Sequence, residues 1–183
     1  MVQYFSTAFH YDHPWSRVQV GMWQKYPNPQ CAHVVSVDVI DRSVHPETGV
    51  IRTERLVGCK QAAPGWAIRF LGGTEDAYVR EVSFVDPRTK KTWIHSTNLS
   101  LCEYMTVVEK ITYVPSTSFP HTRTHFHQTA EIQARTKLWK TVGQKIEQMS
   151  LDRFKQNAIR GKEGFEGVLR TLFGEDNMQD ISS

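Results

Sequence analysis

No Cys-x-x-Cys occurs in this sequence, and its three cysteines (Cys31, Cys59, Cys102) are odd in number and far apart. That argues against a disulfide framework and against a zinc ribbon, and the expectation is three buried thiols. No apolar run approaches membrane-spanning length. The first fifteen residues hold neither a long apolar core nor an Arg-rich amphipathic pattern, so no secretory signal and no cleavable mitochondrial presequence is expected. Asn98-Leu99-Ser100 fits a glycosylation sequon, but nothing else suggests secretion. Charge of one sign is scarce: 22 Lys and Arg against 19 Asp and Glu leave a formal +3. That excess suits an anionic membrane surface but is too mild to argue for nucleic acid, and the aromatics do not interleave with a dense basic run. Gly-x-Ser-x-Gly, a phosphate loop ending in Gly-Lys-Ser/Thr and His-Glu-x-x-His are all missing. His125 and His127 share one side of a strand, with His121 nearby, yet no carboxylate or cysteine is spaced to complete a tetrahedral metal site. No catalytic residue, metal or cofactor is therefore expected. A metal-dependent enzyme built on those three histidines is kept as a rival.

What is present is mostly a period of two. Val35, Val37 and Val39 alternate with Ser36 and Asp38, the pattern of a half-buried strand. Residues 50–60 form a second strand, after the turn His45-Pro46-Glu47-Thr48-Gly49. Further strands are predicted at 77–85, 92–100, 106–114 and 124–134, and residues 2–11 make a seventh. Short turns favour antiparallel pairing. Residues 14–25 read as a short helix with Pro14 in its first turn. After Arg135 the period becomes helical: Leu138, Val142, Ile146 and Met149 share a face that continues into Arg153, Gln156 and Arg160, with Lys145 beside it. A second apolar face runs through Phe154, Ala158, Phe165, Leu169 and Leu172. Gly161, Gly164 and Gly167 either break this helix or let it pack closely on another surface, since each costs about 1 kcal/mol in a helix. At 183 residues the chain is read as one domain, 1–174, with a polar tail, 175–183. Residues 61–73 are no tight hairpin but a long apolar insertion carrying Pro64, Trp66, Ile68, Phe70 and Leu71. Such side chains suit a short packed helix or a lid that dips into a bilayer.

Several blocks together resemble the PRELI/Slowmo/Ups family of mitochondrial phospholipid transfer proteins. They are Tyr11-Asp12-His13-Pro14-Trp15, Trp23-Gln24-Lys25-Tyr26-Pro27-Asn28-Pro29, the stretch His33 to Val39, Thr53-Glu54-Arg55-Leu56, the stretch Glu81 to Asp86, Ser96-Thr97-Asn98-Leu99 and Gln128-Thr129-Ala130-Glu131-Ile132. The resemblance covers roughly Tyr11 to Leu169. It implies an α+β fold: a curved seven-stranded antiparallel sheet, a short N-terminal helix, a lid and a long C-terminal helix enclosing a hydrophobic tunnel. The count of strands, insertion and final helix agrees with that plan.

A lipid carrier must replace the bilayer around two acyl chains, which in water cost on the order of 20 kcal/mol at about 0.8 kcal/mol per methylene. It must also meet a buried phosphate with basic side chains. Carried over residue by residue, the resemblance points to Lys25, His33, Lys60, Lys145, Arg153 and Asn157 as headgroup ligands. It points to Pro64, Trp66, Ile68, Phe70 and Leu71 as lid or membrane contacts. Val57-Gly58-Cys59-Lys60-Gln61 lacks the dense basic run of the phosphatidic-acid branch and looks closer to the Slowmo, phosphatidylserine branch. The resemblance further implies the mitochondrial intermembrane space, transient contact with anionic membranes and a small helical-hairpin partner with twin cysteine pairs. Phosphatidic acid transfer and a surface adaptor that recognises lipid without extracting it are the alternatives.

Overall fold

The computed structural model describes residues 2–60, 76–135 and 140–174, without the side chains of residues 140–143, 145 and 146. Seven strands form one antiparallel sheet: β1 (Val2–Tyr11), β2 (Val34–Val44), β3 (Ile51–Lys60), β4 (Asp76–Asp86), β5 (Lys91–Asn98), β6 (Met105–Pro115) and β7 (Thr124–Ala134). Their spatial order is β1-β7-β6-β5-β4-β3-β2. From β2 to β7 each strand pairs with its sequence neighbour, and β1 closes the far edge against β7. Helix α1 (Trp15–Trp23) follows β1, and helix α2 (Lys140–Phe173) follows β7. A 3-10 turn, Pro29–Cys31, lies between α1 and β2.

The turn at 45–49 closes as its residues require. His45 N–H bonds to the Val50 carbonyl at 2.9 Å, and Gly49 takes φ +72, a region that favours glycine. On β7, Thr124, Phe126, Gln128, Ala130 and Ile132 are buried, and the register carries that inner face across the sheet. The main core gathers at one end of the molecule. Tyr11, Val85, Ile94, Tyr113 and Phe126 of the sheet meet Trp15, Val18 and Met22 of α1 and Phe165 and Leu169 of α2. Two buried polar contacts fix α1 there: Thr92 Oγ1 donates to Gln19 Oε1 at 2.6 Å, and Thr124 Oγ1 donates to the His13 carbonyl at 2.8 Å.

Helix α2 does not break at its glycines. Gly164 is buried where the 3-10 turn crosses the helix, and a Cβ there would lie 2.9 Å from Asn28 Nδ2 and 2.9 Å from Gln30 Cβ. Around Gly167 nothing lies within 4 Å of that position. The second apolar face expected of the helix is in use along its length: Phe154 packs edge-on against Phe5 at 5.2 Å, while Phe165 and Leu169 fill the core.

Two expectations are corrected. Val35 and Val39 are each 54% exposed, not half-buried, because β2 is an edge strand that the helices barely cover. Of the cysteines, Cys31 is buried and Cys59 partly so, but Cys102 is exposed, because it falls in the turn between β5 and β6. The insertion carrying Pro64, Trp66, Ile68, Phe70 and Leu71 lies outside the described residues.

Alanine at 164 and alanine at 167 gain the same helix propensity, but only the first meets a wall. Gly164→Ala is expected to melt as the less stable of the two by about 1–3 kcal/mol. Equal melting temperatures would show that the 3-10 turn yields without cost.

Candidate functional site

The block after α1 explains how a lysine comes to point inward. Asn28 caps the 3-10 turn by accepting from Gln30 N–H at 3.0 Å, and the turn seats on α2 at Gly164. One helical turn earlier, Gly161 leaves room for Lys25, whose Nζ lies 3.9 Å from where a Cβ would be. The same ammonium stands 5.4 Å from the Tyr26 ring centroid.

Facing it, the sheet carries a polar row across four strands. Arg55 pairs in register with Glu81, Glu81 with Ser96, and Ser96 with Glu109. Arg55 is 6% exposed and ion-paired to Glu81, its Nε donating to Glu81 Oε1 at 2.9 Å, and its guanidinium lies 5.2 Å from the Trp23 ring centroid. Glu109 accepts from the amide of Gln128, which sits two residue pairs along on β7, on the same face.

The electrostatics follow from this arrangement. Burial alone would lower the Lys25 pKa, but the acidic groups of Tyr26, Tyr113, Cys31 and Glu109 more than reverse it, and the net shift is upward. Burial raises Glu109 above the ordinary carboxylate range, against the opposing pull of Gln128, Lys25 and Ser96. Tyr113 is pushed up to about 12, chiefly by burial. That phenol stays neutral at physiological pH, leaving Glu109 as the ionisable acid that matters to Lys25. Burial lowers His33, and the cations of Arg160 and Lys25 lower it further, so it is held neutral.

Along α2 a stripe leads away from this group. Met149, Arg153 and Gln156, with Gln148 and Asp152, line an open cavity of about 580 Å³. Arg153 and Arg160 lie on the same face, about 10 Å apart at 1.5 Å per residue. Arg160 and Lys25 both act on His33, at the end of this stripe away from the cavity.

Comparison with known proteins places this geometry. Residues 16–175 match the PRELI-like family. The chain is 38% identical over 182 residues to the mitochondrial protein UPS2 of Saccharomyces cerevisiae, covering 98% of this chain and 78% of that protein. It is 30% identical over 166 residues to the slowmo homolog of Dictyostelium discoideum, covering 90% and 71%. The chain belongs to the PRELI-like family. In solved structures the same sheet gripping one long helix recurs in the Zhui aromatase/cyclase from Streptomyces sp. R1128, with a TM-score of 0.61 at 10% identity over 94% of this chain and 96% of that one. At that identity the likeness shows the helix-grip fold and nothing of its chemistry.

Within this PRELI-like chain the predicted ligands divide. Lys25 and His33 come together, Arg153 stands at the cavity, and Asn157 lies partly buried one turn beyond it. Lys60 does not join them. It ends β3 with its side chain 55% exposed and pairs with Asp76 at 2.7 Å. Lys145 lies on α2, with its side chain outside the described residues. Arg55, Glu81, Glu109 and Gln128 were not singled out from the sequence as site residues; a charged residue within an alternating strand, on the parity of its buried neighbours, is the signal that could have found them. His125 and His127 lie on the sheet's other face. His125 sits 4.9 Å ring to ring from His10, and His127 Nε2 is 3.2 Å from Ser6 Oγ. Among the described residues no group of three or more His, Cys, Asp or Glu could hold a metal ion.

The raised Glu109 pKa sets a pH dependence. A carboxyl whose folded pKa exceeds its unfolded value favours the fold below the unfolded value, and that contribution is lost as pH rises through the folded pKa. Glu109→Gln is therefore expected to melt above the wild type at pH 7, with the gap closing as the buffer falls below about pH 4.5, near the unfolded pKa of a glutamate. Thermal melts across that range check it; a variant less stable at pH 7 would mean that the carboxylate is net stabilising.

Proposed function

We propose that this protein is a phospholipid carrier of the mitochondrial intermembrane space, moving phosphatidylserine between the outer and inner membranes to feed phosphatidylethanolamine synthesis. The observation that carries the reading is the ammonium of Lys25 lodged between the polar row of the sheet and α2, beside the Tyr26 ring. Such a charge needs an anion to meet it, and a guest anion can take over that place from Glu109. A phosphate drawn in from the cavity would serve, guided by Arg153. The relatives add support: the match to UPS2, a protein named mitochondrial, covers nearly the whole chain. The headgroup set under this reading is Lys25, His33, Lys145, Arg153 and Asn157, with Lys60 at the base of the insertion. Pro64, Trp66, Ile68, Phe70 and Leu71 contact the membrane. No covalent step is needed, so the protein is not read as an enzyme, and its lipid is cargo rather than cofactor. A small helical-hairpin protein with twin cysteine pairs is the partner this reading includes. Without that partner the chain is expected to be unstable.

Liposome-to-liposome transfer with serine, phosphatidic acid and choline headgroups tests the proposal. Phosphatidylserine is expected to move fastest; a preference for phosphatidic acid would overturn the choice of cargo. Extraction of lipid into a soluble complex separates a carrier from a surface adaptor. Lys25→Gln, which is one atom shorter and removes the charge, is expected to slow transfer roughly ten- to a hundredfold. Lys25→Glu with Arg153→Glu is expected to abolish transfer while the circular dichroism stays that of the folded protein. Normal transfer by that double variant would refute the headgroup assignment.

A further inference from the structure

We propose that Glu109 is a specificity-determining residue: its carboxylate receives the primary ammonium of a phospholipid headgroup and turns away phosphatidic acid, which has none. The inference rests on the carrier reading above and deepens it.

The charges of the interior do not suit a guest that is purely anionic. Of the two carboxylates in the polar row, Glu81 is answered by the Arg55 guanidinium. Glu109 is held by neutral donors, the Gln128 amide and the Ser96 hydroxyl, and its cationic neighbour is Lys25. If Lys25 turns to a phosphate, Glu109 loses that attraction and faces a second anion nearby. A phosphate without a counter-charge would then sit close to a half-desolvated carboxylate, at a Coulomb cost that grows as water is excluded. A headgroup carrying both phosphate and ammonium removes the conflict, because each interior charge exchanges one partner for another. The Gln128 amide engages Oε1 of Glu109. Oε2 can accept from an ammonium, which has three donors to offer. A quaternary choline nitrogen has none. Serine and ethanolamine headgroups share the required chemistry.

The test uses the full chain and liposomes carrying phosphatidylserine, phosphatidylethanolamine, phosphatidylcholine or phosphatidic acid. For the wild type, a primary-ammonium lipid is expected to move fastest, and the serine and ethanolamine arms say which. In Glu109→Gln, which keeps the Oε1 acceptor for Gln128, the ratio of phosphatidylserine to phosphatidic acid transfer is expected to fall at least about tenfold. A second measurement needs no variant. N-acetylated phosphatidylserine, loaded on the wild type and read by native mass spectrometry, is expected to bind at least about tenfold more weakly than phosphatidylserine. If the wild type carries lipid but both ratios are unchanged, Glu109 does not select the ammonium and the carrier reading survives. If the wild type prefers phosphatidic acid, the inference is wrong. If it carries no lipid, the carrier reading fails first and the inference falls with it.

Discussion

An ammonium held between a sheet and a helix must be answered by other groups, and much of this structure is arranged around that need. The Tyr26-Pro27-Asn28-Pro29 stretch turns the chain so that Lys25 points inward. Gly161 gives it space on α2, and Gly164 lets the capped 3-10 turn sit close enough to hold it there. The Tyr26 ring stands beside it, and the sheet opposite supplies the response: the phenol of Tyr113 and the carboxylate of Glu109. Lys25, the answering groups on β6 and the glycines of α2 come from three separate parts of the chain, so the site exists only once the sheet has formed and α2 has been laid across it.

The molecule can carry such a site because its stability is concentrated elsewhere. At one end, Val18, Phe165 and Leu169 are buried almost completely, and Tyr11, Tyr113 and Phe126 stack around them. Each such side chain contributes about 1.5–3 kcal/mol when it leaves water. Gly21 permits that packing, since a Cβ there would come within 2.7 Å of Leu169. A second tie lies at the other end of α2, where the fully buried Glu147 accepts from Ala134 N–H at 2.9 Å and anchors the helix to the end of β7. Between these fastenings the middle of the helix is free to carry a cationic stripe and a cavity instead of a dry seam.

The strands were legible in the sequence because a two-residue period is a local property: β1 and β7 begin and end where the alternation of residues 2–11 and 124–134 places them. The stripe of Met149, Arg153 and Gln156 was legible for the same reason, as a helical period written in neighbouring residues. The polar row was not. Arg55, Glu81, Ser96 and Glu109 are brought side by side by the pairing of four strands, and no local pattern records which residue stands opposite which. The exposure of β2 was hidden likewise, since its valines alternate as a covered strand's would and only the sheet order makes it an edge. Glu147 reads as one more solvated helix charge until the end of β7 is found beside it.

A carrier has to let go as well as hold, and the interior carboxylates bear on that requirement. A lone lysine in this place would grip a phosphate hard when loaded, making release slow. With the Glu109 carboxylate nearby, Lys25 is compensated before any guest arrives. Loading then exchanges partners instead of rescuing an orphaned charge, and the free-energy gap between the empty and filled states narrows. Affinity lost in this way is regained as discrimination, because only a guest whose own charges match the pattern can replace both internal partners together.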